Sequence, residues 1–94
     1  LAEEDKQIGI FDKVRIEPNP FSTDAALAVF SNQPTDVTIE IYSTDNRLIR
    51  SEYKQLLAGD NRIQLDEMTF LKRGVYYFRI SNVLHSETLK VIKL

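Results

Sequence analysis

The sequence has no cysteine and no tryptophan, and its 94 residues include one histidine, one methionine, three glycines and three prolines. Without cysteine there is no disulfide, no thiol nucleophile and no Cys-ligated zinc, and neither redox compartment is required. One histidine cannot supply the converging ligands that zinc needs. The glycines, Gly9, Gly59 and Gly74, are isolated and make no phosphate-cradling loop. Clustered basic residues are missing as well. Twelve Lys and Arg are scattered among fourteen Asp and Glu, for a net charge of −2, which argues against a surface that tracks nucleic-acid phosphates. No apolar run approaches the roughly 20 residues of a membrane-spanning helix. The chain opens at Leu1 without an initiator Met or a signal-peptide pattern, so a segment of a longer precursor is expected.

What remains is a small, evenly charged chain that is 43% apolar. It is long enough for one core, and a domain of this size buries somewhat over about 60% of its unfolded surface. Residues 1–13 read as a polar approach segment, with Glu3-Glu4-Asp5-Lys6-Gln7 showing no period. Ile8, Ile10 and Phe11 within it are candidates for a short strand or a plug at the end of the core. From residue 14 to residue 94 the apolar pattern is nearly all period two, the mark of half-buried strands. Seven strands are expected: Lys13–Glu17, Ala25–Phe30, Asp36–Tyr42, Asn46–Lys54, Asp60–Asp66, Gly74–Asn82 and Glu87–Leu94. Val37, Ile39 and Ile41 against Thr38, Glu40 and Tyr42 give the cleanest alternation. Turn residues recur at about 8–12 positions, the rhythm of an antiparallel sandwich, and no stretch has the 3.6 period of a crossover helix. The expected fold is an all-β, immunoglobulin-like sandwich of about seven antiparallel strands.

Local chemistry sets several boundaries. Pro18 and Pro20 cannot donate to a ladder, so the strand running through Ile16 must stop there. Asn19 between them is suited to bonding local backbone and setting a turn. Asn46 suits a left-handed position in the hairpin Tyr42–Arg47, and Asn82-Val83-Leu84-His85 joins the last two strands as antiparallel neighbours. Leu71-Lys72-Arg73-Gly74-Val75-Tyr76 fits a tyrosine corner, in which a Tyr at a strand start bonds backbone a few residues upstream. Tyr76, Phe78 and Ile80 then share the core face.

Reacting groups are scarce. His85 stands beside Ser86 and Glu87 in a hairpin, but sequence neighbours do not make a triad, which must be assembled through the fold. Asp45-Asn46 and Asp60-Asn61 lack the spacing of a calcium loop and read as turn formers. Glu52, Asp66 and Glu67 have no cleft in which paired carboxylates could work. Tyr42, Tyr53 and Tyr77 point away from the core by parity. An aromatic platform for sugars is the alternative to ordinary cross-strand pairing of these tyrosines. No catalytic residue, cofactor or metal is expected.

The order of elements resembles a known family. A strand runs into Pro18-Asn19-Pro20-Phe21, an alternating pair and a tight turn into Arg47-Leu48-Ile49 follow, and Gly74-Val75-Tyr76 opens a strand before a terminal Lys-containing strand. From about Val14 to Leu94 this is similar to the C-terminal sorting domains of cargo proteins of the type IX secretion system of Bacteroidota. The resemblance implies an immunoglobulin-like sandwich that directs its cargo through the periplasm and across the outer membrane, to the cell surface or the extracellular space. It also implies recognition by the translocon and, in many members, removal by a sortase-like cysteine peptidase, here at a site ahead of Val14. By position, Pro18, Asn19 and Pro20 match one family element, Gly74 and Tyr76 a second, and Lys90 or Lys93 in Lys90-Val91-Ile92-Lys93-Leu94 a third. The family's usual Gly before the turn Arg is Asn46 here.

A final strand at a sheet edge offers unpaired N–H and C=O groups to a receptor strand. Its apolar residues divide by face, Leu89 and Val91 on one and Ile92 and Leu94 on the other. One face is expected to complete the core and the other to be displayed. The alternatives are an extracellular adhesion or carbohydrate-binding module, or a spacer beside a catalytic domain. In isolation a strand-exchanged homodimer is a further expectation.

Overall fold

The structure is a computed structural model and describes residues 9–94. Seven strands follow in order: β1 Phe11–Glu17, β2 Ala25–Ser31, β3 Thr35–Ser43, β4 Leu48–Leu56, β5 Gly59–Leu65, β6 Gly74–Ser81 and β7 Ser86–Lys93. They form two antiparallel sheets, β1-β2-β5 and β4-β3-β6-β7. Between the sheets lies one core. Phe11, Ile16, Leu27, Val29, Ile63 and Leu65 enter it from the first sheet, and Val37, Ile39, Ile41, Phe78, Ile80 and Val91 from the second. Phe21 packs edge-on against Phe78 with ring centroids 6.2 Å apart. Met68 and Leu71, on the loop before β6, are buried at one end. The loop is fixed by the Met68 N–H donating to the Thr23 carbonyl and the Leu71 N–H to the Met68 carbonyl.

β1 starts at Phe11 rather than Lys13, and the cause is a bulge. Asp12 faces Phe30 and Arg15 faces Ala28, so Lys13 and Val14 together oppose one residue. Lys13 takes φ 55°. Phe11 and Ile16 are five apart and would fall on opposite faces of a regular strand, but the extra residue turns both inward. The residues before β1 are docked too. The Ile10 N–H donates to Asn32 Oδ1 at 2.8 Å and its carbonyl accepts from the Asn32 N–H. Asn82 Nδ2 donates to the Gly9 carbonyl at 2.8 Å. A Cβ on Gly9 would stand 2.5 Å from the Gln33 carbonyl oxygen and 2.7 Å from Ser31 Oγ, so the backbone can approach only as glycine. Ile8 and the run Glu3–Gln7 lie outside the described residues.

The central strand β2 is buried on both faces. Ala26 and Ala28 lie on its outer side, small enough for charged neighbours to meet above them. There Glu17 on β1 accepts from Arg15 Nε at 2.6 Å and from Arg62 on β5 at 2.8 Å. These two bonds, Arg15's first, hold the Glu17 carboxyl below its ordinary range. On β4, Arg50, Glu52 and Lys54 sit opposite Ile41, Ile39 and Val37, so an edge strand carries charges on its inner face. Arg50 pairs with Glu52 and donates to the Asp66 carbonyl at 2.7 Å. Inward charges of this kind discourage strand addition at an exposed edge.

The turns behave as their residues suggest. Asn46 adopts φ 67° and its N–H donates to the Ser43 carbonyl. The turn therefore extends through Arg47, and β4 begins at Leu48 rather than Asn46. Asn82 leaves β6 to cap the last hairpin, its Oδ1 accepting from the Leu84 and His85 amides at 2.9 Å each.

Candidate functional site

The three motif elements, far apart in sequence, meet along β7. Gly74 pairs with Lys93 and Tyr76 with Val91 in the β6–β7 ladder. On the other side of β7 lies Pro18–Phe21. Glu17–Pro18 and Asn19–Pro20 are cis peptide bonds. Asn19 bonds far from its own neighbourhood: Nδ2 donates to the Lys90 carbonyl at 3.3 Å, and Oδ1 accepts from the Ile92 N–H at 3.1 Å. Next along the edge, the Phe21 N–H donates to the Ile92 carbonyl at 3.0 Å and the Leu94 N–H donates to the Phe21 carbonyl at 2.8 Å. Phe21 thus forms a parallel bridge with Lys93, and the Asn19 side chain supplies the next rung that a backbone would otherwise provide.

Two expectations are corrected here. Asn19 does not serve a local turn, and the terminal strand does not present an open edge along its length. From Lys90 to Leu94 that edge is already bonded.

Gly74 holds φ 143°, a conformation that residues with a Cβ rarely adopt, at the bend where the loop enters β6. The Tyr76 hydroxyl donates to the Lys72 carbonyl at 2.7 Å, which is the expected tyrosine corner. The buried corner and the Phe21 ring together hold this end of β7.

The faces of β7 divide as its alternation suggests. Val91 is fully buried and Leu89 packs against the core. Ile92 and Leu94 stand 40% and 59% exposed on the opposite face, with Lys90 exposed beside them. Lys93 follows Val91 by parity and is buried, its Nζ donating to the Leu94 carbonyl at 3.0 Å. The two lysines left open by the sequence therefore occupy different environments. Lys90 faces solvent across from Tyr77, and Lys93 lines the core edge.

Elsewhere the polar residues are engaged structurally. The His85 ring bonds Glu87 at 2.9 Å and packs on Phe11 with centroids 4.9 Å apart, so it caps the core and does not stand free in its loop. Asp45 bonds the Ser43 hydroxyl, which with the Arg47 charge lowers its carboxyl below the ordinary range. Asn61 closes its own turn onto Leu57 and Gly59. Glu52 is tied to Arg50 and Lys54. Among the described residues no group of three or more His, Cys, Asp or Glu converges to hold a metal ion. Tyr42 and Tyr77 are direct neighbours across β3 and β6, above an open depression of about 480 Å³ shared with Arg79, Ser86 and Thr88. Tyr53 lies away from them beside Thr38, so the three tyrosines do not make one platform.

Fold and site define an immunoglobulin-like β-sandwich whose most constructed feature is the seating of its last strand. The family described as secretion system C-terminal sorting domain matches residues 15–94, and the chain belongs to it. That family is the C-terminal sorting signal of type IX secretion, which sends a cargo carried in the same precursor across the outer membrane to the cell surface or beyond, and it is not a catalytic family. No curated protein matches the chain.

Proposed function

We propose that the export machinery reads this domain on the outer face of β7. The observation that carries the reading is the division of one strand: Leu89, Val91 and Lys93 are turned to the core, while Lys90, Ile92 and Leu94 are displayed. An exposed Ile and Leu beside a cation form a small apolar patch with a charged rim, a surface suited to a protein partner. Pro18–Phe21 on one side and Gly74–Tyr76 on the other hold that strand in one register, so the motif residues Pro18, Asn19, Pro20, Gly74 and Tyr76 act as positioning residues for Lys90–Leu94. Of the two lysines, Lys90 is the one available to a receptor.

The partners are a translocon component and a sortase-like cysteine peptidase, met during passage through the periplasm and at the outer membrane. The domain acts as an address, without catalysis of its own. Gly9 is bonded to Asn82 at the last hairpin and packed tightly against Ser31, Gln33 and Thr35, so removal by the peptidase is placed ahead of it, at the polar run Glu3–Gln7.

The test fuses residues 9–94 to the C-terminus of a periplasmic reporter in a host carrying the type IX machinery. The reporter is expected at the cell surface or in the medium only when both the domain and the translocon are present. Export without either one would refute the assignment.

A further inference from the structure

We infer that Gly9–Phe11 is a strap clasped by the last hairpin, and that the hairpin's grip on it sets how far a peptidase can enter the chain, which rests on the reading that removal occurs ahead of Gly9. Three side chains hold the strap, and two of them come from the turn between β6 and β7. Asn82 Nδ2 donates to the Gly9 carbonyl at 2.8 Å. The His85 ring, bonded to Glu87 on β7, packs on the Phe11 ring with centroids 4.9 Å apart. The third is Asn32, which accepts from the Ile10 N–H through Oδ1 and donates its own N–H to the Ile10 carbonyl. A strap fixed to β1 is thus gripped by the strand the domain presents for recognition.

The order of these holds gives the hairpin control. A segment lifts from its end inward. Lifted from its upstream end, the strap gives up the Gly9–Asn82 bond first, the two Ile10–Asn32 bonds next, and the ladder opposite Ser31 last. Asn82 divides one amide between the two elements it joins. Its Oδ1 caps the hairpin through the Leu84 and His85 amides, and its Nδ2 reaches Gly9 and Thr35. A partner that shifts the hairpin draws Nδ2 from Gly9 and the His85 ring from Phe11 together. Peptidases bind substrate as an extended segment on both sides of the bond they cut. For a cut in Glu3–Gln7 the downstream side runs toward the strap, so lifting it lengthens the usable substrate. Engagement of β7 and access to the removal segment are then coupled, and the coupling is reciprocal.

Hydrogen exchange and thermolysin digestion of residues 1–94 test it. Asn82→Asp keeps the oxygen that caps the hairpin and removes the donor to Gly9. Exchange at Ile10 should quicken about fivefold, the effect of one part-buried bond, while the Leu57 amide on the distant β4–β5 turn, which donates to Asn61, is unmoved. Thermolysin, which cuts ahead of large apolar residues, should cut Gly9–Ile10 faster by the same factor, because cleavage follows the open population. A Cβ on Gly9 unseats the strap, so Gly9→Ala should quicken exchange at Leu84 and His85 by a like factor. Added to Asn82→Asp, where the link is already cut, it should change those two amides no further. Unchanged exchange or cutting at Ile10 in Asn82→Asp, or hairpin amides indifferent to Gly9→Ala, overturns the inference. Should either variant not fold, exchange of the unsubstituted chain in graded urea decides: Ile10, Leu84 and His85 opening with one free energy supports the strap, and separate openings refute it. None of these readouts involves export, so a failure here leaves the β7 reading standing, and a reporter fusion that is not exported leaves the strap measurements untouched.

Discussion

Replacing Asn82 with Ala should cost more than any other single polar substitution near the last hairpin, because one amide serves four partners. Nδ2 donates to the Gly9 carbonyl at 2.8 Å and to Thr35 Oγ1 at 3.3 Å, and Oδ1 accepts from the amides of Leu84 and His85. A net hydrogen bond contributes about 0.5–1.5 kcal/mol. The two hairpin amides are exposed and regain water on substitution, so they fall at the low end. The Gly9 carbonyl and the Thr35 hydroxyl are part-buried and fall higher. The expected loss is about 2–3 kcal/mol, or about 10–20 °C in Tm for a domain of this size. Urea unfolding followed by far-UV circular dichroism measures it. Hydrogen exchange at Ile10 and Phe11 should quicken in parallel, since the Gly9 tether is what the substitution cuts. A loss below about 0.5 kcal/mol, or unchanged exchange at those amides, would refute the reasoning.

Tyr76→Phe removes the hydroxyl that donates to the Lys72 carbonyl and keeps the ring in the core; about 0.5–1.5 kcal/mol should be lost in urea titration, and no loss would remove the corner from the account. Glu17 is more acidic folded than unfolded, held by Arg15 and Arg62. Its contribution is complete above the ordinary carboxylate value and declines as pH falls through the lower folded one. Glu17→Gln should therefore flatten part of the stability loss between about pH 6 and about pH 3, and parallel curves for the two proteins would contradict this.

Much of the architecture was legible because period-two alternation dictates it. The run Val37 to Tyr42 could be read directly as β3, and Leu71 to Tyr76 announced the corner that the Tyr76 hydroxyl makes. The split of β7 into a core face and a displayed face also followed from parity. Less legible was the start of β1. Phe11 has the wrong parity for Ile16 until a bulge at Lys13 rephases the strand, and nothing about a lysine signals φ 55°. No sequence pattern marked Arg50, Glu52 and Lys54, which lie on the inner face where the four-stranded sheet ends. Asn19 was recognisable as special but not for its role. Its partners Lys90 and Ile92 lie 71 and 73 residues away, and a bond between a side chain and a distant strand edge leaves no periodic trace. Asn82 hid its second role in the same way, as a hairpin cap that also ties down Gly9.

The most direct measurement of the recognition face is export of the reporter fusion carrying Ile92→Ser together with Leu94→Ser. Both side chains are exposed and leave Val91 and the Phe21 bridge in place, whereas truncating Lys90–Leu94 would take core residues with it. The account predicts a folded fusion of normal stability that stays inside the cell. Secretion at the level of the unsubstituted fusion would contradict it.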